Sequence, residues 1–529
     1  MSESNELPKG WAKARVDSLV QLVNGFAFKP TQWKSEGLPI IRIQNLNNND
    51  APFNYCPEDL PDKIRVRNGD LLFAWSGTPG TSFGAHIWRG QDAWLNQHIF
   101  KVNFNREYLD ERYLRLAINQ NLDSYIRQAH GGAGLAHITK GRFEESRLPI
   151  APLNEQSRIV AKIEELFSDL DAGVAALKRA KANLKRYRAS VLKAAVEGKL
   201  TEQWRAKHPA KEPASALLAR ILKERRLKWE ADQLAKFAAT KKEPPKNWRD
   251  KYVEPLHETG LFELPESWTW ASTLEICERV ENGNTPPPNE MFEGDGEVPF
   301  IKVYNLTKNG SLDFSVKPTF VSQATHETLL GRSRILPNDV LMNIVGPPLG
   351  KVSVVPNDYP EWNTNQAVVL FRASMAVLPR YLAACLMCDD VMFWITRTAR
   401  ATAGQSNISV GNSRILPIPI PPAKEQAVIV ETLDETLSQI DAAEKQIEHG
   451  LLRAARLRQS ILKRAFEGKL VPQDPKDESA SALLERLRAS RTHDEANGTA
   501  ATSKRTRAKI KESSGEPRTR IRRRPSSQN

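Results

Sequence analysis

The amino-acid sequence contains two copies of one plan, about 270 residues apart. The clearest match joins 192–200 to 462–470, where seven of nine positions are identical. Two shorter matches precede it in the same order, at 133–138 with 403–408 and at 149–156 with 419–426. Repeats of solenoid proteins are only about 20–50 residues long. The sequence therefore predicts a tandem duplication in which each copy is a domain followed by a helix.

The front domain of each copy, at 1–153 and 251–422, mixes strand-like and helix-like segments. Short apolar runs bounded by Gly, Pro or Asn are typical of strands, and they occur at 38–43, 70–75 and 99–102. Apolar residues at i+3 and i+4 spacing predict helices, here over 108–126 and 378–396. The predicted fold class is α+β, with two mixed α/β domains in tandem.

A long helix is predicted after each front domain, at 154–200 and 423–470. Asn154 is the predicted N-cap of the first, and Gly198 is the predicted left-handed residue that ends it. In both helices apolar residues recur every seven positions, as in the seam of a coiled coil. The predicted seam residues are Ile163, Leu170, Leu177, Leu184 and Val191 in the first helix and Leu433, Ile440, Ile447 and Ile461 in the second. A companion row lies three positions further along, at Leu166, Gly173, Ala180, Tyr187 and Ala194 in the first helix.

Each seam needs a partner. Both helices belong to one chain and meet at high effective concentration, which favours antiparallel packing within the molecule. A helix of another molecule is the alternative. Antiparallel packing would relate the two front domains by a pseudo-two-fold axis. Two unlike domains at a fixed span could then contact two unlike half-sites of duplex DNA, and helix length would set the gap between the half-sites.

The remaining segments are a connector and a basic tail. Residues 201–250 are predicted to form a charged helix and a linker with Pro244-Pro245, and residues 471–529 a short helix followed by a disordered tail. The whole chain has a net charge of +13, of which about +8 comes from 501–529. Phosphate binding by this tail and a solvated tail without a specific role both stay open.

The sequence contains no recognisable catalytic motif. Gly346–Val352 resembles a phosphate-binding loop, but one residue is missing between the glycines and Val352 stands where a hydroxyl is needed. Cys385 and Cys388 form a single C-x-x-C pair, whereas structural zinc needs four ligands; we expect two buried residues on a helix. The chain is therefore predicted to be non-catalytic, without a cofactor or metal of its own. Four cysteines in 529 residues favour a reducing cytoplasm. Neither a secretory leader nor a membrane span is expected.

Two loops in each front domain are candidate DNA contacts, because glycine permits close approach and polar side chains can reach base edges. The loops are 76–84 and 130–137 in the first domain and 346–351 and 397–407 in the second. The candidate DNA-binding residues are Ser76, Thr78, Thr81, Ser82, His137, Lys140, Lys351, Arg397, Arg400, Gln405 and Asn407. Arg65, Arg67 and Arg142 could add attraction to phosphates, and Lys178, Lys181 and Lys185 are predicted to form a solvated helix face. For each loop the alternative is an ordinary turn.

These features together resemble the specificity subunits of type I restriction–modification systems. The resemblance spans about 7–490 and is carried by L-P-x-x-W at Leu7 and Leu264, by the Glu-Gln pairs at the helix starts, and by E-G-K-L at Glu197 and Glu467. It implies two target-recognition domains that bind a bipartite, asymmetric sequence in double-stranded DNA, and a chain without a catalytic centre. It also implies two modification subunits, which methylate adenine with S-adenosylmethionine, and two restriction subunits, which use ATP and magnesium to translocate and cut DNA. The basic tail after about 491 is not part of the pattern.

Two other functions compete with this interpretation. A structural coiled-coil adaptor without nucleic-acid contact would have less need of two domains with diverged loops. A stand-alone DNA enzyme, such as a nuclease, would need the catalytic motifs that the sequence lacks.

Overall fold

The computed structural model describes residues 7–48, 51–78, 81–128, 136–257, 260–398, 400–402 and 405–492. Its contacts divide the chain into two compact units, Met1–Ala175 with Leu451–Asn529 and Ala176–Gly450. Each unit thus combines one front domain with part of each long helix. The linear domain boundaries given above follow chain order and stay a prediction. The tail from 493 onward, with its predicted disorder, lies outside the described residues.

The first front domain is built from twelve short strands and four helices. The strands are β1 Ala12–Arg15, β2 Val20–Asn24, β3 Leu38–Ile41, β4 Asn54–Cys56, β5 Arg65–Val66, β6 Leu71–Ala74, β7 Ser76–Gly77, β8 Gly84–Ile87, β9 Ala93–Leu95, β10 Ile99–Phe104, β11 Ala136–His137 and β12 Arg147–Ile150. The helices are α1 Val16–Leu19, α2 Glu111–Gln120, α3 Leu122–Gln128 and α4 Lys140–Glu145.

These strands form two four-stranded sheets, in the orders β2-β10-β6-β8 and β4-β3-β9-β5. Two smaller pairs, β1 with β12 and β7 with β11, complete the domain. The core lies between the first sheet and the helices, where the rings of Phe73 and Phe143 stack with centroids 3.9 Å apart. Helix α2 begins where the Asp110 carboxylate accepts hydrogen bonds from the backbone N–H groups of Arg112 and Tyr113, a typical N-cap.

Three helices connect the first front domain to the second. They are the long helix α5 Leu153–Val196, the short helix α6 Glu202–Lys207 and the connector helix α7 Ala214–Ala239. The prediction that Asn154 caps the long helix is wrong. The Pro152 carbonyl already accepts the first helical hydrogen bond from the Gln156 N–H, at 2.9 Å, so Asn154 lies inside the first turn.

The second front domain repeats the plan of the first. Its strands are β13 Thr269–Ser272, β14 Cys277–Asn282, β15 Phe292–Glu293, β16 Val298–Ile301, β17 Thr319–Val321, β18 Val340–Asn343, β19 Val352–Val354, β20 Asn363–Thr364, β21 Val368–Ala373, β22 Arg400–Thr402, β23 Gln405–Asn407 and β24 Pro417–Ile420. Its helices are α8 Thr273–Ile276, α9 Gln323–Glu327, α10 Pro379–Met387, α11 Asp389–Thr398 and α12 Val410–Arg414. The main sheet, β14-β21-β18-β19, has the strand order of β2-β10-β6-β8, and β13-β24 matches β1-β12.

The second long helix, α13 Ala423–Phe466, is followed by a short helix over 480–492, here called α14. Each long helix has 44 residues and is therefore about 66 Å long at 1.5 Å per residue. Both end before a glycine with positive φ, at +72° in Gly198 and +66° in Gly468, as the repeated E-G-K-L motif predicts. No helix among the described residues is long and apolar enough to cross a bilayer.

Within each unit the two long helices run antiparallel. In one unit, Arg458 of α13 pairs with Asp171 and lies over the Phe167 ring of α5. In the other, Lys181 pairs with Glu448 at 2.8 Å, and further along α5 Arg188 pairs with Asp441 and Glu444. The predicted fold class is confirmed: two mixed α/β domains in tandem, with long helices that pack antiparallel within each unit.

The predicted seam row is buried or half-buried along both long helices. Leu433, Ile440, Ile447 and Ile461 are buried, as are Ile163 and Val191, while Leu170, Leu177 and Leu184 are half-buried. The companion row holds only in part. Leu166, Ala180 and Ala194 are half-buried, whereas Tyr187 is 53% exposed and Gly173 has open space around it. The row one position further on is half-buried at Phe167, Val174 and Arg188 but exposed at Lys181.

Each unit also contains a helix that follows the long helix of the other copy. The first turns of α7 bury Leu217 and Ile221 against the second front domain, where the Ala214 N–H donates to the Ser267 carbonyl at 3.0 Å. Helix α14 buries Leu484 and Leu487 against the first front domain, and the Ala480 N–H donates to the Gly10 carbonyl at 2.8 Å. The two units are therefore built from equivalent elements, each with a front domain, part of each long helix and one shorter helix.

The two helices predicted inside the front domains are each broken once. Helix α2 ends at Gln120, and Asn121 caps it by donating its side-chain amide to the Ala117 carbonyl at 3.0 Å; α3 follows. In the second domain Cys388 has an extended backbone that separates α10 from α11. The spacing of apolar residues continues across both breaks, so periodicity alone did not reveal them.

Candidate nucleic-acid interface

In the first front domain the structure brings the two candidate loops together. Strand β7, in the first loop, pairs with β11 at the end of the second, so that Ser76 lies opposite His137. The Ile138 N–H donates to the Trp75 carbonyl at 3.0 Å, and Ile138 itself is buried. The repeated A-G-x-x-x-I segment therefore anchors one loop against the other through its isoleucine. Residues 129–135 of the second loop lie outside the described residues.

The second front domain joins its two loops in the same way. Val345 pairs with Asn407, and the Ile408 N–H donates to the Ile344 carbonyl at 2.8 Å. Strands β22 and β23 form a hairpin just before this contact. The side chains of Arg397, Arg400 and Gln405 lie outside what the structure describes, so their DNA contacts stay a prediction.

A partly exposed aromatic cluster lies beside the paired loops of the first domain. The Trp75 ring contacts the rings of His137 and His98, with centroid separations of 4.8 and 5.2 Å. The Trp75 Nε1–H donates to the Gln97 carbonyl at 3.2 Å, and the Gln97 side chain is exposed. Such a surface offers hydrogen-bonding groups and an aromatic face to a base. Sequence analysis did not identify Trp75, Gln97 or His98 as site residues, although Asn96-Gln97 recurs as Asn365-Gln366.

The other candidates of the first loop divide into exposed and buried residues. Thr78 and Thr81 are exposed, and the Thr81 hydroxyl donates to the Thr78 carbonyl at 3.2 Å. Ser82 is only 4% exposed, and its hydroxyl accepts the Thr78 N–H at 3.0 Å. Ser82 therefore stabilises the loop by a hydrogen bond within it. Contact with DNA stays a prediction for Thr78 and Thr81.

Several of the predicted basic contacts already have partners within the protein. Lys140 Nζ donates to the Leu22 carbonyl at 3.3 Å and lies 3.6 Å from Glu144. Arg65 and Arg67 pair with Asp92 and Asp62, each at 2.8 Å. Exposed ion pairs contribute little to stability, so these side chains can still turn toward an incoming phosphate. Arg142 is exposed on α4, and Lys178, Lys181 and Lys185 are exposed on α5.

The loop at 346–351, which resembles a phosphate-binding motif in sequence, has a different structure. Lys351 Nζ donates to the Val303 carbonyl at 3.3 Å, and the Asn343 side chain accepts the Lys351 N–H and donates to the Pro348 carbonyl. Strand β19 follows this loop, where a phosphate-binding loop would lead into a helix. In the same region the Asn407 Oδ1 atom is buried and accepts no hydrogen bond from a described residue.

One further glycine in each front domain allows two backbone segments to approach closely, and sequence analysis missed both glycines. Gly25 follows β2 and lies against the backbone of Asn96, and Gly283 follows β14 and lies against the backbone of Thr364. A Cβ atom at either glycine would collide with a carbonyl oxygen. The repeated Asn-Gly at Asn24 and Asn282 is the signal that could have found this contact.

The cysteines of the C-x-x-C pair are core residues. Cys385 and Cys388 are buried in the second front domain, and burial raises the pKa of both thiols. A raised pKa keeps the thiols protonated, whereas a zinc site needs thiolates. In the described part of the chain no group of three His, Cys, Asp or Glu side chains could hold a metal ion.

The repeated Glu-Gln pair fixes each front domain on its long helix. The buried Gln156 side chain accepts the N–H of Asp110, just before α2, at 2.9 Å and donates to the Ala151 carbonyl. Gln426 does the same with Leu378, just before α10, at 3.1 Å, and donates to the Pro421 carbonyl. Each front domain is thus tied by hydrogen bonds to the long helix that follows it.

Comparison with known proteins agrees with this geometry. The family described as "Type I restriction modification DNA specificity domain" matches residues 8–180 and 265–452. The EcoBI specificity subunit of Escherichia coli is 26% identical over 504 residues, covering 91% of this chain and 92% of that protein. The EcoKI specificity subunit of E. coli K12 is 25% identical, covering 92% and 97%. Both are named as subunits of type I restriction enzymes.

The fold is also found in a solved structure of a type I restriction–modification system, studied for its assembly and conformational transition. That chain gives a TM-score of 0.61 at 18% identity, covering 88% of this chain and 99% of the other. Both repeats of this chain match the family, and the matched residues make up more than half of its length. The chain belongs to the family of type I restriction–modification DNA specificity proteins.

Proposed function

We propose that this chain is the DNA-binding specificity subunit of a type I restriction–modification complex, in which each front domain recognises one half of a bipartite, asymmetric DNA sequence. The observation that carries the proposal is the paired loops. Both domains join two loops at the same place, through Ile138 and Ile408. The loops themselves differ in sequence and hydrogen-bonding groups. A shared framework with diverged loops is what recognition of two unlike half-sites requires.

The chain has no catalytic role of its own in this proposal. Its relatives are named specificity subunits, so the chemistry belongs to partner subunits. Two modification subunits would bring S-adenosylmethionine for adenine methylation. Two restriction subunits would bring ATP and magnesium for translocation and cleavage. The assembly would act on double-stranded DNA in the cytoplasm.

Sequencing of DNA methylation in the host, with and without this gene, tests the proposal. We expect methylation of adenines within one bipartite, asymmetric motif to disappear when the gene is deleted. Expression of the gene from a plasmid should restore methylation of the same motif. If the partner subunits are present and active but no motif disappears, the chain does not direct methylation. A structural adaptor would then be the better account.

A further inference from the structure

An arginine-lined cleft in the first unit lies away from the paired loops. It has a volume of about 390 Å³, and Arg112 and Arg115 of α2, Arg89 after β8, and Glu164 of α5 contribute the charges of its lining. Gly84 begins β8 beside the paired loops, while His86 and Ile87 near its other end line the cleft. The cleft therefore opens at the other end of β8 from the paired loops, although the His86 ring that lines it contacts the Ser82 carbonyl of the first loop at 3.0 Å.

The charges of this cleft are not balanced. Arg112 donates both its hydrogen bonds in the cleft to Glu164, at 2.8 and 3.0 Å. The Nε atom of Arg115 is buried, and no described residue accepts a hydrogen bond from it. Burial lowers the pKa of Arg115; the Glu164 carboxylate opposes this shift, and the guanidinium groups of Arg89 and Arg112 add to it. Three guanidinium groups thus line the cleft with one carboxylate, and that carboxylate already pairs with Arg112.

The second unit has a cleft at the equivalent place, and that cleft lacks the excess of positive charge. Gln156 and Gln426 accept the N–H before α2 and α10, which aligns the two helices. The ion pair of Arg112 and Glu164 corresponds to that of Arg380 and Asp434. Ala383 stands where the first unit has Arg115. The second cleft is further lined by Asp441, which pairs with Arg188.

The loop after β8 shows the same difference. The Trp88 N–H donates to the Asp70 carbonyl, and the Val355 N–H donates to the Asp339 carbonyl, both at 2.9 Å. This alignment places Pro356 at the position of Arg89. Two arginines have therefore been added to, or lost from, one cleft on an otherwise shared framework. The shared framework therefore does not require these two arginines.

We propose that the arginine cleft of the first unit binds a phosphate group, and that the equivalent cleft of the second unit does not. The planar guanidinium group donates paired hydrogen bonds that match the oxygens of phosphate. A phosphate in the cleft would accept hydrogen bonds from the guanidinium groups that line it and offset the excess positive charge. The phosphate could belong to the DNA backbone or to a small phosphate compound.

Thermal unfolding of the full-length chain tests the proposal without DNA. We expect sodium phosphate to raise the Tm by about 2–4 °C above sodium chloride of equal ionic strength, and the rise to saturate. Arg115→Ala should abolish this difference, and Ala383 shows that the helix accommodates alanine at that position. The matched control is Arg380→Ala, which removes the same charge from the other cleft and should keep the phosphate effect. Arg89→Ala provides a second variant, in an exposed loop.

Binding of target duplex by the assembled complex distinguishes the two sources of phosphate; this measurement, unlike the thermal one, rests on the proposed function. If the cleft holds the DNA backbone, Arg115→Ala should reduce the slope of log affinity against log salt by about 0.9. An unchanged slope with the thermal effect intact supports a small phosphate compound. The absence of a phosphate-specific rise in Tm, or an equal rise in Arg115→Ala, overturns the proposal. Weaker binding of a partner subunit as the only effect would instead indicate an acidic protein segment and would also overturn it.

Discussion

Insertion of seven residues into each long helix, after Ala175 and after Gly450, should lengthen the gap between the two methylated half-sites. One heptad keeps the seam in phase and adds about 10 Å of helix. At about 3.4 Å per base pair, the gap should grow by up to about three base pairs while both half-sites stay the same. Sequencing of methylated DNA from a host that carries the altered gene measures this gap.

Insertion of the heptad into one helix alone is the matched control. It would lengthen one helix alone, so that the pairs Lys181–Glu448 and Arg458–Asp171 could not both form in one continuous register. Helices out of register would also expose apolar seam residues, which lowers stability. We therefore expect this variant to lose methylation. An active double insertion with an unchanged gap would contradict the role of helix length.

Substitution of the two equivalent glutamates, Glu425→Gln and Glu155→Gln, should change stability in opposite directions at neutral pH. Glu425 is buried and accepts hydrogen bonds from Thr201 Oγ1 at 2.6 Å, Arg205 Nη1 at 2.6 Å and Trp268 Nε1 at 3.0 Å. An amide cannot neutralise Arg205, so Glu425→Gln should lower the free energy of unfolding by about 2–4 kcal/mol. Denaturant unfolding measures the change.

Glu155 occupies the same position in the other copy but has a poorer environment. Its Oε1 atom is buried without a close hydrogen bond among the described residues, and Trp11, Arg158 and Gln473 offset its burial only in part. Pro475 stands at the position that corresponds to Arg205. Burial raises the pKa of this carboxyl group. A raised pKa in the folded state means that the ionised form destabilises the fold. Glu155→Gln should therefore stabilise the protein at pH 7.

The pH dependence of stability tests whether ionised Glu155 destabilises the fold. Below about pH 4.5, the ordinary pKa of a glutamate, the carboxyl group is protonated in both folded and unfolded chains, and the variant should match the original protein. As the pH rises through the raised pKa of folded Glu155, the original protein loses stability that the variant keeps. The stability difference, variant minus original protein, should therefore be larger at pH 7 than at pH 4. A smaller difference at pH 7 would contradict this account of Glu155.

Features that depend on nearby residues could be predicted from the sequence. The seven-residue spacing from Leu433 to Ile461 identified the buried row of α13, because the period of a helix relates neighbours along one chain. The E-G-K-L motif identified both helix ends, because a glycine with positive φ is a local requirement. The repeat itself predicted that both units would share one plan.

Features that depend on distant residues could not be predicted. Tyr187 of the companion row is exposed, contrary to the prediction. The position of α13 determines which rows of α5 are covered, and the sequence of α5 alone does not contain that information. The contact between Trp75 and His137 joins residues 62 positions apart through a two-residue strand pair, which has no periodic signal. Arg89 and Arg115 meet Glu164 only after three separate elements fold together. Each arginine alone looks like an ordinary surface charge.

A chain with two copies of the second front domain tests the central claim most directly. Residues 7–150 would be replaced by 264–420, so that Gln156 of α5 would accept the Leu378 N–H of the grafted domain in place of Asp110. Sequencing of methylated DNA should then show a bipartite motif whose two halves are inverted copies of one original half-site. The reciprocal exchange should give inverted copies of the other half-site. If the exchanged chain still directs methylation of the original asymmetric motif, the front domains are not what recognises the DNA.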